Sequence, residues 1–154
     1  MWNPTVVQFL VSVAIFFGPL SGYRVELELQ IFEQHYGHEV VNSSGLRVRK
    51  FNRTTPVLNG TFTILKNLTN NYKCSISIAY SRLGNNQFND YPITWNEQPF
   101  CDMMKGSYRD YQYLFLNHSN LPQVPETGLC PFPAGTYWFK NAVFTSNFVP
   151  KFLP

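Results

Sequence analysis

Charge is scarce in this chain of 154 residues, where 12 Lys and Arg and 9 Asp and Glu make up only 14% of the sequence. The charges stand singly rather than in blocks, so the net +3 leaves no electrostatic footprint for nucleic acid. Long apolar runs are missing too: the longest, Val6 to Phe17, has about half of the roughly 20 residues that a membrane-crossing helix needs. Cysteine is limited to Cys74, Cys101 and Cys130, and without a Cys-x-x-Cys pair neither thioredoxin-like chemistry nor a zinc ribbon has a foundation. Internal repeats and low-complexity segments are absent. What remains is 44% hydrophobic, with 14 Phe, 9 Tyr and 3 Trp, far too apolar to stay disordered. The length suits one domain, on a scale of about 150 residues each.

The apolar run at the N-terminus is followed by Gly18-Pro19-Leu20-Ser21-Gly22, whose small residues suit a signal-peptidase site. Residues 1–22 are therefore expected to be a signal peptide and 23–154 the single mature domain, secreted and extracellular. Acceptors for N-glycosylation agree with export: Asn42, Asn52, Asn59, Asn67 and Asn117 each begin Asn-x-Ser/Thr. The composition alone accounts for about two such sites. Four of the five lie between Val41 and Thr69, which predicts an exposed, sugar-covered side there. In an oxidising compartment, three cysteines leave one over. Alternation places Cys74 on one face with Ile76, Ile78 and Tyr80, as a buried apolar residue would be, whereas Cys101 and Cys130 stand in loop-like contexts beside Pro99 and Pro131. The expected disulfide is Cys101 to Cys130.

Period two dominates the mature chain. Val25-Glu-Leu-Glu-Leu-Gln-Ile31 alternates strictly and predicts a half-buried antiparallel strand. Weaker copies at Leu46 to Phe51, Thr61 to Leu65 and Lys73 to Ser81 are bounded by Asn-Gly punctuation such as Asn59-Gly60 and Gly84-Asn85-Asn86, so a sheet of hairpins follows. Phe100, Met103, Met104, Tyr108, Tyr111, Leu114 and Phe115 then repeat at spacings of three, four and seven, which places them along one face of an amphipathic helix. Beyond the loop around Leu121-Pro122 and Pro125, Gly135 to Phe139 leads into a further strand through Val143 and Phe148.

Four pieces recur in this order in one known family: Asn59-Gly-Thr-Phe in a strand, Phe100-Cys101-Asp102 opening a helix, Asn120-Leu-Pro, and Cys130-Pro-Phe-Pro-x-Gly135-x-Tyr137. From about Leu46 to Pro150 the chain resembles the insect secreted family of unknown function that includes the CheB-type gustatory proteins, and the last motif is the specific one. The resemblance implies relation to the lipid-recognition fold of the ganglioside activator and myeloid-differentiation-related proteins. That fold is an immunoglobulin-like β-sandwich whose two sheets spread to hold an apolar ligand. It implies secretion, hydrophobic-ligand binding and a setting in chemosensation or pheromone response, and it names no catalytic residue. Where Phe148-Val-Pro-Lys-Phe-Leu-Pro154 stops, the family usually continues, so a mainly β sandwich with one helix and without its last strands is expected.

In such a sandwich the apolar wall would combine Phe62, Ile64, Ile76, Ile78 and Tyr80 from strands with Met103, Met104, Tyr108, Tyr111 and Phe115 from the helix. The competing reading is that these side chains pack against one another in a filled core, and Tyr137 and Trp138 are open to either role. Catalysis finds little purchase, and neither cofactor nor metal is expected. His35 and His38, beside Glu33 and Glu39, have ligand-like spacing in a polar loop segment, while Asp90, Asp102, Asp110 and Glu126 are scattered among aromatics without a fixed acid and base pair. Lys66-Asn-Leu-Thr and Gly106-Ser-Tyr match no phosphate loop or nucleophile elbow. A non-enzymatic carrier of a small hydrophobic molecule or lipid, with an extracellular receptor as a second partner, is the expectation. The alternatives are an extracellular interaction module whose helix displays aromatics outward, and a hydrolase in which two of His35, His38, Asp90, Asp102 and Asp110 converge in a cleft.

Overall fold

The computed structural model describes residues 6–17, 25–81, 87, 89–90 and 95–144. Strands dominate them, and they form two sheets. The first contains β1 (Val6–Phe17), β2 (Val25–Tyr36), β6 (Lys73–Ser81) and the short β7 (Asn89–Asp90) in the order β2-β1-β6-β7, with β8 (Trp95–Pro99) also paired to β6. In the second, β5 (Pro56–Ile64) is central, flanked by β3 (Val41–Asn42), β4 (Arg47–Lys50) and β9 (Gly135–Ala142).

The strand expected from Val25 is present and longer than its strict alternation, running to Tyr36. Val6 to Phe17 is itself a strand, antiparallel to β2 and parallel to β6, with Val7 opposite Cys74. A continuous apolar run reads equally well as an apolar helix or as a strand paired on both edges, because periodicity alone does not separate the two. Asn59-Gly60 is not a turn. It lies inside β5, where the register with β9 shifts between Leu58 and Gly60. Gly60 has φ +123°, and a Cβ there would stand 2.0 Å from the Gly45 carbonyl oxygen, so only glycine lets the two backbones cross. β9 ends at Ala142 rather than continuing through Val143, and Phe148 lies outside the described residues, as do Gly84-Asn85-Asn86 and the C-terminal tail.

The sheets face each other across two apolar clusters, which makes the molecule a sandwich. Leu29 of β2, Leu46, Leu58 of β5 and Ala142 of β9 form the smaller. The larger collects Val7, Cys74, Ile64 and Tyr137 from both sheets, with Phe100, Met103 and Met104 from the helical segment and Val124 and Phe132 from the loop after it. Phe62 packs against both clusters. Each fully buried large apolar side chain contributes on the order of 1.5–3 kcal/mol. Phe132, only 1% exposed, is the largest of them.

Candidate functional site

The helical segment at 100–114 is positioned by its sequence neighbours and by three clamps. Pro99 restricts the chain just before the first turn, and the Asn70 side-chain carbonyl accepts the N–H groups of Cys101 (2.9 Å) and Asp102 (3.3 Å), which the first turn leaves without intrahelical partners. Asp102 sits exposed in that turn, where negative charge is favoured. Cys101 is bridged to Cys130 as expected, which ties the start of the helix to the end of the following loop. Closing a loop with a sequence separation of 29 contributes about 3–4 kcal/mol. Further along, the Gln112 amide both donates to the Val124 carbonyl (3.0 Å) and accepts its N–H (2.7 Å), which fastens the middle of the loop.

The segment is not one regular α-helix. It runs α1 (Phe100–Met103), a π-helical turn (Met104–Tyr108), α2 (Arg109–Tyr111) and a 3-10 turn (Gln112–Leu114). In the π turn the Arg109 N–H reaches back five residues to the Met104 carbonyl, and such turns are rare and, where they occur, frequent at functional sites.

The proposed wall residues meet the sandwich interior in three ways. Ile64, Met103 and Met104 are buried, and Phe62, Ile76, Tyr108, Tyr111 and Phe115 are half-buried. The side chains of Ile78 and Tyr80 lie outside the described residues. Phe62 stacks at 5.6 Å from Tyr137 and 5.5 Å from Phe139, and Phe115 lies 6.3 Å from Tyr108, 5.4 Å from Phe139 and 6.0 Å from Phe144. These rings form a continuous aromatic lining between the helical segment, β5 and β9. Phe132, Phe139 and Phe144 belong to it and were missed. The alternation of Tyr137 and Phe139 about the exposed Trp138 could have revealed Phe139, whereas Phe132 and Phe144 are placed by loop contacts that no periodicity encodes. Tyr137 is a core residue, its hydroxyl donating to the Pro133 carbonyl at 2.7 Å, and Trp138 lies on the opposite face.

Three ionisable groups in this interior are held neutral, Cys74, Tyr108 and Tyr137, the last with its phenol also pushed up by burial. Burial pushes the Cys74 thiol up to about 12, and the thiol is 2% exposed, so it is a buried apolar group rather than a nucleophile. Burial also raises the Tyr108 phenol to about 12. Its hydroxyl oxygen is buried and has no hydrogen-bond partner among the described residues.

The polar candidates gather elsewhere. A cleft of about 390 Å³ is lined by Glu33, His35, His38, Ser43, Ser44 and Arg47 among others, and none of the apolar wall residues reaches it. Its chemistry is largely self-satisfied: Gln34 accepts both the N–H and hydroxyl of Ser43, and Arg47 Nη1 donates to the carbonyls of Ser44 and Leu46. His35 stands 3.8 Å from Glu33, with both side chains largely exposed. Asp102, Asp110 and Glu126 are exposed, and the Asp90 side chain lies outside the described residues. Among the described residues no group of three or more His, Cys, Asp or Glu side chains is arranged to hold a metal ion, and no helix is long and apolar enough to cross a membrane.

Of the glycosylation acceptors, Asn42, Asn52, Asn67 and Asn117 are exposed. Asn59 is half-buried and engaged, donating to the Asn141 side chain at 2.8 Å and accepting the Asn141 N–H at 3.1 Å.

A family model described as protein of unknown function (DUF1091) matches residues 74–154, just over half of the chain, and spans β6, the helical segment, the disulfide and β9. No curated protein matches the chain. No solved structure matches it either.

Proposed function

The chain belongs to the DUF1091 family, whose function is unknown, and we propose from its interior that it is a secreted, glycosylated, non-enzymatic binding protein for a small hydrophobic molecule or lipid. One observation carries this reading. Both methionines and an aromatic of the helical segment turn inward onto the lining between the sheets: Met103 and Met104 are buried, and Tyr108, with Phe115 just beyond the segment, packs in the ring cluster. Methionine adapts to irregular apolar shapes, and aromatic side chains line apolar ligand sites, which suits a sandwich that parts to admit a chain-like ligand. Relation to the ganglioside-activator type of lipid-recognition sandwich and to the CheB-type gustatory proteins fits the same reading, with chemosensation or pheromone response as the setting and an extracellular receptor as partner. The Cys101–Cys130 disulfide is compatible with an oxidising extracellular compartment.

A second reading has its own support. Tyr113 is 57% and Leu116 53% exposed, at and just beyond the end of the helical segment, as an extracellular interaction module with a filled core would present them. Native mass spectrometry of protein secreted from insect cells, with organic extraction of whatever accompanies it, separates the two. A co-purifying lipid or hydrocarbon of defined mass, or uptake from a mixture of fatty acids and hydrocarbons, is expected. A clean unliganded mass from folded protein that takes up nothing overturns the carrier in favour of the module.

A further inference from the structure

Tyr108 combines two unfavourable features. It closes the π-helical turn, and it buries a hydroxyl that finds no partner among the described residues. An unsatisfied buried donor costs roughly 1–3 kcal/mol, and native structures rarely keep one without a reason. Phenylalanine would fill the same space in the same ring cluster at no such cost. Among the described residues of the aromatic lining, packing leaves the chemistry of this hydroxyl unexplained.

Its surroundings restrict the missing partner. Burial favours the protonated phenol, so the group is a hydrogen-bond donor at any physiological pH. The cluster against which it packs is apolar, including Met103 and Met104, and its ring stacks on Phe115. A carboxylate drawn among these apolar side chains would carry the desolvation cost of a buried charge. A neutral oxygen avoids that cost.

Resting on the apolar-ligand reading above, we infer that Tyr108 is the polar anchor of the site and donates its hydroxyl hydrogen to a neutral carbonyl or ester oxygen on an otherwise hydrocarbon ligand. The aromatic lining would take the chain of such a molecule, and Tyr108 would set where along it the oxygen sits. Ketones, aldehydes and esters are then preferred over alkanes and over ionised fatty acids of the same length.

The test uses the full chain produced in insect cells and three probes of matched length: heptadecane, heptadecan-2-one and ionised heptadecanoate, each competing with a fluorescent apolar dye. The ketone is expected to bind roughly tenfold more tightly than the alkane, as one buried hydrogen bond supports, with heptadecanoate weaker than the ketone. Tyr108→Phe is expected to bring the ketone down to the alkane and to raise the Tm of the unliganded protein. A ketone preference that survives Tyr108→Phe overturns the anchor and leaves the apolar-ligand reading standing. So does a fatty acid that outcompetes the ketone. If folded protein binds neither alkane nor ketone, the carrier reading itself fails, and the anchor fails with it.

Discussion

Asparagine 59 shows how one residue can satisfy a motif and still be withdrawn from it. Its sequence context is an acceptor, yet both ends of its amide are committed to Asn141 across β5 and β9. A glycan on Nδ2 would displace that pair. Asn59→Gln is therefore expected to leave the mass of the glycosylated protein unchanged apart from the substitution, whereas Gln at Asn42, Asn52, Asn67 or Asn117 should each remove a glycan's mass; a glycan lost from Asn59→Gln would contradict the pairing. Cys74 carries a second residue-scale expectation. Its folded pKa is raised to about 12 by burial, so the unfolded chain releases the thiol proton first as pH climbs past the ordinary value of 9.0. The stabilisation is complete below pH 9 and is lost between pH 9 and about 12, at up to ~1.4 kcal/mol per pH unit. Denaturant midpoints should fall across that window, and Cys74→Ala should shallow the decline; an unchanged slope would mean that the thiol is exposed.

Elements reveal where local pattern and tertiary demand diverge. Asn59-Gly60 has the composition of a hairpin turn, and in isolation would be read as one. It serves instead as a bulge inside β5, because the Gly45 backbone crosses at a distance that no Cβ tolerates. Gly60→Ala is accordingly expected to prevent accumulation of folded protein, while Gly106→Ala, in the π turn with open space around it, should be tolerated; the comparison is made by the yield of monomer on gel filtration. The helical segment was legible from its spacing of three, four and seven. Its division into α, π and 3-10 turns was not, and the partners that hold the segment, Asn70, Cys130 and Val124, lie outside it, where its own spacing does not reach. The candidate wall was legible in the same measure: alternation and helical spacing pointed to Phe62, Ile64, Met103 and Met104, but no local signal placed Phe132 or Phe144 beside them.

At the scale of the molecule, β1 is the strand on which expectation and architecture bear most differently. Residues 1–22 read as a leader, and Val6–Phe17 is the strand between β2 and β6. Removing that segment would leave two strand edges unpaired and take Val7 from its place opposite Cys74. Two chains, 1–154 and 23–154, should differ in one direct readout. The Cys74 thiol, protected in the longer chain, should react with a maleimide in the shorter one, as followed by intact mass. Equal protection in both would show that another segment covers that side of β6.

The sequence by itself determined the class of the fold and the inventory of the site: alternation makes strands that must hide one face, the aromatic and methionine spacing makes a helix that must do the same, and the cysteine contexts single out the bridge. Those are local or pairwise properties, written in periods of two and 3.6. Tertiary structure decided the rest. Which rings meet, why Gly60 cannot be larger, why Asn59 is occupied and why the Tyr108 hydroxyl stands without a partner among the described residues depend on contacts between residues far apart in the chain, and no period records them.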